Sequence, residues 1–181
     1  YLQQLKEQVG FPMVVKAANQ GSSIGISILA EPNEQLFEEA VDRSFFRLKV
    51  EGAHWLSLDA AARVRWVREF SDIRSNIGLP VHTSLGDTIH HPETLLAYLN
   101  NHLQAQGQDM WLEAVDGEHT VLFESFIHGK EFSCIVIQQA DGQPVALPPT
   151  GIVKGKELFD YRSKYLPGLS RKVTPIDLPL E

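Results

Sequence analysis

Lys16 sits near the end of a short apolar run, Pro12-Met13-Val14-Val15-Lys16-Ala17, and Gly21-Ser22-Ser23-Ile24-Gly25 follows within a few residues. Small residues let successive backbone N–H groups converge on an anion, and serine hydroxyls add donors. A lysine ending the preceding strand would bring a fixed positive charge to the same anion. The plainer alternative is a flexible hairpin turn, and on this segment alone it is the simpler reading. Neither G-x-x-x-x-G-K-[ST] nor a helix-opening G-x-G-x-x-G occurs, which excludes Walker and Rossmann phosphate loops.

Two further groups could do chemistry. Glu124 closes the run Thr120-Val121-Leu122-Phe123-Glu124, and Glu131 follows Gly129-Lys130 seven residues later. Carboxylates so placed could face one ligand, or they could be ordinary strand-edge acids. Downstream, Leu158-Phe159-Asp160-Tyr161-Arg162-Ser163-Lys164-Tyr165 forms an aromatic and basic loop. Six of the seven histidines lie between His54 and His119. No pair has H-E-x-x-H or H-x₃₋₅-H spacing and no cysteine accompanies them, so surface and helix-end positions are the better account.

The elements that must position these residues follow from periodicity. Leu2, Leu5 and Val9 predict a helix stopped by Gly10. Pro12–Ala17 and Ile26–Leu29 predict two strands joined by the glycine turn. Asn33 predicts the N-cap of a helix through Leu36, Phe37, Ala40 and Val41. Residues 45–118 have a helical texture. Asp59 is an N-cap for a helix whose apolar stripe is Val64, Val67, Phe70 and Ile73, with Arg63, Arg65 and Arg68 on a solvated face. Pro92 opens a second helix with Leu95, Leu96, Leu99 and Leu103 buried and Gly107 past its end. Trp111–Val115, Thr120–Glu124 and Phe132–Ile137 read as strands, the last ending at the Asp141-Gly142 turn.

The bulk arithmetic is that of an ordinary soluble chain. It has 181 residues, 43% hydrophobic and 22% charged, without the apolar depletion of disorder. Sixteen basic against 23 acidic residues give a net charge of −7, which argues against general binding to nucleic-acid backbone but permits a local phosphate pocket. No run of about 18 apolar residues exists to span a membrane. Cys134 stands alone, which suits a reducing compartment. The start at Tyr1 and the Pro-punctuated end, Thr174-Pro175-Ile176-Asp177-Leu178-Pro179, read as an excised piece of a longer protein.

Taken in order, Val15-Lys16 with Gly21–Ser27, Leu122–Ile127 with Gly129–Phe132, and Phe159-Asp160-Tyr161 with Lys164-Tyr165 form one set. That set resembles the D-alanine–D-alanine ligase family of ATP-grasp enzymes. The resemblance covers about residues 1–44 and 119–181. It implies an α+β fold: a central ATP-grasp subdomain, an antiparallel sheet with flanking helices, carrying a mainly helical insertion over residues 45–118. Lys16 is then expected to contact the α- and β-phosphates of ATP, and the backbone at Ser22, Ser23 and Ile24 to cover the β- and γ-phosphates. Glu124 would accept from the adenine amino group, Phe126 and Ile127 would line the purine edge, and Glu131 would hold the ribose hydroxyls. Lys164 would stabilise the transferring γ-phosphate, Tyr165 would bond Ser22 to close a loop, and Tyr161 would pack in that loop.

The implied reaction is dipeptide formation through an acyl phosphate, for peptidoglycan synthesis in the cytoplasm, with ATP, Mg²⁺ and D-alanine, no membrane or nucleic-acid partner, and a parent compatible with a homodimer. The Mg²⁺ ligands are expected outside this chain, which alone should be inactive and bind ATP weakly if at all. Alternatives are another ATP-grasp carboxylate–amine or D-alanine–D-lactate ligase, and a non-catalytic nucleotide-binding or regulatory module. Departures from the family pattern are Ala17 where proline is common, Arg162-Ser163 where Glu-Ala is usual, and Gly151 where glutamate is frequent.

Overall fold

The computed structural model describes residues 1–74, 76–106, 108–154 and 170–178. These divide into two compact units, Tyr1–Phe126 and Ile127–Glu181.

The first unit begins with α1 (Leu2–Gln8), β1 (Met13–Ala17), β2 (Ile26–Leu29) and α2 (Glu34–Ser44). Gly10, at φ +79°, ends the first helix as its permissive backbone allows. The Asn33 side chain accepts from the Leu36 N–H at 3.0 Å, so the expected N-cap forms. β7 (Val121–Ser125) completes an antiparallel sheet in the order β2-β1-β7. Strand alternation turns Met13, Val15 and Ala17 inward. Met13 and Val15 pack with Leu29 and Ala40 as one buried cluster, which Phe37, Val41 and Phe123 border.

Between these strands lie β3 (Arg47–Val50), α3 (Gly52–Ser57), α4 (Ala60–Phe70), β4 (Val81–Thr83), β5 (Thr88–Ile89), α5 (Pro92–Gln106) and β6 (Met110–Ala114). The four strands form a second antiparallel sheet, β3-β6-β4-β5, of which the sequence pattern marks only β6. Leu95, Leu99 and Leu103 of α5 are buried in the larger core with Trp55, Phe70 and Leu112. Gly107 lies outside the described residues.

The α4 stripe is narrower than expected. Val67 and Phe70 are buried, but Val64 is 53% and Ile73 47% exposed. Each three-residue step falls about 60° short of a full helical turn, so such a row rotates off the buried face, and the helix ends at Phe70. Trp66 fills the place instead, stacked on Phe70 at 5.2 Å and edge-on to Trp55 at 5.4 Å. Arg63 is likewise not on a solvated face: its guanidinium lies over Trp55 and donates to Asn100 Oδ1 at 3.0 Å. Arg65 and Arg68 are exposed.

The second unit contains β8 (Glu131–Ser133), β9 (Val136–Gln138), β10 (Pro144–Ala146), β11 (Thr150–Lys154) and β12 (Ser170–Val173). The run Phe132–Ile137 is therefore two strands in different sheets, β12-β11-β8 and β10-β9, broken at Cys134 and Ile135. The Cys134 thiol instead reaches the Leu147 carbonyl at 3.3 Å. The Asp141-Gly142 turn joins β9 to β10, with Gly142 at φ +85° and Gln143 N–H donating to Asp141 Oδ1 at 3.0 Å. At Gly151 a Cβ would lie 2.9 Å from Ile176 Cγ1, so this position has no room for a glutamate side chain.

Candidate functional site

Alternation in the first sheet fixes which side chains share its other face. Lys16 pairs with Leu122 and Ile26, and Val14 pairs with Glu124 and Ile28, so all six point away from α2. Lys16 and Glu124 are diagonal neighbours on adjacent strands, a spacing that long side chains bridge. They do: Lys16 Nζ stands 2.7 Å from Glu124 Oε2, with the two side chains 29% and 50% exposed. Leu122 is also exposed, whereas Val14, Ile26 and Ile28 are half-buried. The result is a partly open apolar strand surface with one cation–carboxylate pair set into it.

The glycine turn caps the end of this sheet. Ile24 N–H donates to the Gly21 carbonyl at 3.1 Å, and Ser22 and Ser23 between them have φ of +55° and +61°. Two positive φ values at the centre of a closed four-residue turn are the mark of the type I′ hairpin geometry. Non-glycine residues meet a cost of roughly 1–2 kcal/mol each in this region. Strain of this kind persists only where surrounding contacts over-determine it, and it concentrates at ligand sites.

Contacts on both sides hold the turn. Ala17 N–H donates to the Gly25 carbonyl at 3.0 Å, and the buried Ser44 hydroxyl donates to that same carbonyl at 3.2 Å. Gly25, at φ +68°, lies so close to Phe46 that a Cβ would meet its ring at 2.9 Å. On the other side the Glu118 carboxylate accepts from Asn19 N–H at 2.9 Å and from Asn19 Nδ2 at 3.0 Å. None of Asn19, Ser44, Phe46 and Glu118 is marked by a motif.

The remaining expected residues fall in three places. Phe126 N–H donates to the Pro12 carbonyl at 2.9 Å, which extends the β1–β7 edge. Ile127 and Glu131 belong to the second unit, Ile127 almost wholly exposed and Glu131 at the start of β8, opposite Ile152. Tyr161, Lys164 and Tyr165 lie outside the described residues. Five of the six histidines between His54 and His119 are exposed. Among the described residues no three His, Cys, Asp or Glu side chains form a group able to hold a metal.

Sequence comparison decides the family. The model of the family described as "D-ala D-ala ligase C-terminus" matches residues 1–49 and 100–181, well over half of the chain. The chain belongs to the D-alanine–D-alanine ligase family. Its fold is accordingly the ATP-grasp fold, built here from antiparallel sheets and helices. The D-alanine–D-alanine ligase of Desulfotalea psychrophila is 28% identical over 176 residues, 92% of this chain and 48% of that protein. Shorter, more similar stretches occur in the D-alanine–D-alanine ligases of Acetivibrio thermocellus, 41% identical over 64 residues, and Leptospira interrogans, 43% over 63. These cover 35% and 33% of this chain, and 16% and 18% of those ligases. The chain thus spans about half the length of its most extensively matched relative here, and less of the others. Residues 50–99 fall between the two stretches that match the D-alanine–D-alanine ligase family.

Proposed function

We propose that this chain is the ATP-binding portion of a ligase that joins two D-alanine molecules. Residues 1–44 and 119–181 form its central ATP-grasp subdomain, and residues 45–118 a mainly helical insertion. The observation that carries this reading is the Lys16–Glu124 pair on an open apolar strand face beside the Ser22–Ser23 turn. A purine laid on Val14, Ile26, Ile28 and Leu122 removes apolar surface from water, at roughly 25 cal/mol per Å². Glu124 then accepts from the exocyclic amino group while Lys16 turns to the α- and β-phosphates. A half-solvated ion pair contributes only about 0–1 kcal/mol, so redirecting both partners to a ligand costs little.

The rest of the site follows the family pattern. Phe126 and Ile127 line the purine edge, and Glu131 holds the ribose hydroxyls. Amides at Ser22, Ser23 and Ile24 cover the β- and γ-phosphates, Lys164 stabilises the γ-phosphate in transfer, Tyr165 bonds Ser22, and Tyr161 packs in the closing loop. A carboxylate oxygen of the first D-alanine attacks the γ-phosphorus, and the bond from that phosphorus to the bridging β-phosphate oxygen breaks, leaving ADP and an acyl phosphate. The amine of the second D-alanine attacks the acyl carbon, loses a proton and expels inorganic phosphate. Positioning and charge neutralisation dominate such a transfer, and a closed loop keeps water from the acyl phosphate. The enzyme uses Mg-ATP. The proposed setting is the cytoplasm, where the dipeptide enters peptidoglycan synthesis, and the proposed assembly is a homodimer.

Phosphate release by the full-length protein, supplied with Mg-ATP and D-alanine, tests the reading. Release should depend on D-alanine and match dipeptide formed, and Lys164→Ala should lower kcat by about 100-fold or more. Release that ignores D-alanine would overturn it.

A further inference from the structure

Glu118 is the one acidic side chain in the first unit's described residues that is more than nine-tenths buried, at 6% exposure. Burying a carboxylate is costly unless its oxygens are hydrogen-bonded. Here both are used on one residue: Oε1 takes the backbone N–H of Asn19 and Oε2 its side-chain amide, at 2.9 and 3.0 Å. Asn19 is the second residue after β1 and lies two before Gly21, so this two-point clamp fixes the entry to the strained turn. Ala18 N–H donating to the Thr120 carbonyl at 3.2 Å keeps the two chains in register up to the clamp.

The exit of the turn is held from the opposite end of the intervening segment. Ser44 and Phe46, where that segment begins, hold Gly25. The two junctions are joined to each other: Ala114 N–H donates to the Phe46 carbonyl at 2.9 Å. At Gly117 a Cβ would meet the carbonyl oxygens of Phe45 and Ala114, both at 3.1 Å. Entry and exit of the turn are thus fastened to one knot formed by residues 44–46 and 114–118.

We propose that Glu118 is a positioning residue for nucleotide binding. Through Asn19 it sets the placement of the Ser22–Ser23 amides, and the knot makes residues 45–118 a brace for the phosphate-covering turn. This inference rests on the reading of that turn given under Proposed function. Glu118 touches no phosphate itself. Its effect passes through backbone geometry, and errors of an ångström in such positioning are known to be costly.

Steady-state kinetics on the full-length protein test it, with KM for ATP and KM for D-alanine measured separately. Asn19→Asp sets two carboxylates against each other and should raise KM for ATP about tenfold, the usual worth of a charge-assisted hydrogen bond, with KM for D-alanine unchanged. The double variant Glu118→Gln with Asn19→Asp restores the complementarity, since the glutamine oxygen accepts the backbone N–H and its amide donates to the new aspartate. It should return KM for ATP to within about threefold of wild type. A purely structural role would lower the melting temperature without separating the two KM values. That result, or a double variant no better than Asn19→Asp, overturns the proposal. Lys16→Ala is run alongside. If it weakens ATP use while Asn19→Asp does not, the clamp fails and the nucleotide site stands. If neither variant affects ATP use, the underlying site assignment fails as well.

Discussion

Replacing Gly25 with alanine isolates the geometry on which the turn depends. Two costs add at this position. The backbone sits at φ +68°, where an L residue is disfavoured by roughly 1–2 kcal/mol. The new Cβ would lie 2.9 Å from Phe46 Cζ and 3.0 Å from Ala17 Cβ, closer than carbon atoms pack. Phe46 is only 3% exposed and belongs to the main core, so it cannot swing into solvent. Overpacking of this kind costs roughly 1–3 kcal/mol, which brings the expected loss to about 2–5 kcal/mol. Gly21, four residues away, is the internal control, because among the described residues nothing lies within 4 Å of a Cβ added there and its φ is not positive. Gly21→Ala should therefore stay within about 0.5 kcal/mol of wild type. Urea unfolding followed by tryptophan fluorescence is a suitable assay, since Trp55, Trp66 and Trp111 all lie in the first unit. Equal stability of the two variants, or a Gly25→Ala loss under about 1 kcal/mol, would refute the account of the turn as held from the Phe46 side.

Other expectations concern stability and pH. Leu99→Ala removes a fully buried side chain from the main core and should cost about 2–5 kcal/mol in the same unfolding assay. Ser44→Ala deletes the buried hydroxyl whose single proton is shared between the Ala40 carbonyl at 2.8 Å and the Gly25 carbonyl at 3.2 Å, and should cost about 0.5–1.5 kcal/mol. The Lys49–Asp109 pair, 2.6 Å apart, lowers the Asp109 pKa below its ordinary 3.8, first through the Lys49 hydrogen bond and then through Gly52 N–H. The stabilisation it gives is thus present above pH 3.8 and is lost as pH falls further. Lys49 is raised above 10.5 by the same partner, so its share is present below pH 10.5 and is lost as pH rises beyond it. Asp109→Asn should flatten both limbs of a stability–pH profile, and an unaltered profile would remove this pair from the account.

Local signals were the legible part of the fold. Asn33 and Asp59 carry side-chain oxygens one residue ahead of amphipathic runs, and both cap as their chemistry predicts. The β1–β2 hairpin was legible because alternation and a small-residue turn agree. The β3-β6-β4-β5 sheet was largely hidden: its strands are two to five residues long, and Leu48 meets Leu112 from 64 positions away. Strands so short carry little periodicity of their own, and only tertiary pairing defines them. Phe132–Ile137 misled for the converse reason, since a continuous apolar run does not reveal where a strand changes sheets. At the candidate site, Lys16, the serine turn and Glu124 were marked by residue type and order. Glu118 was not, because one acid in the polar stretch Asp116-Gly117-Glu118-His119 looks solvated until Asn19 is seen against it.

The central claim is that the open face bearing Lys16 and Glu124 binds ATP. Calorimetric titration of the full-length protein with Mg-ATP, wild type against Lys16→Ala, tests it most directly. Loss of a charge-assisted phosphate contact should weaken binding by about tenfold or more. An unchanged affinity in a folded Lys16→Ala protein would contradict the account.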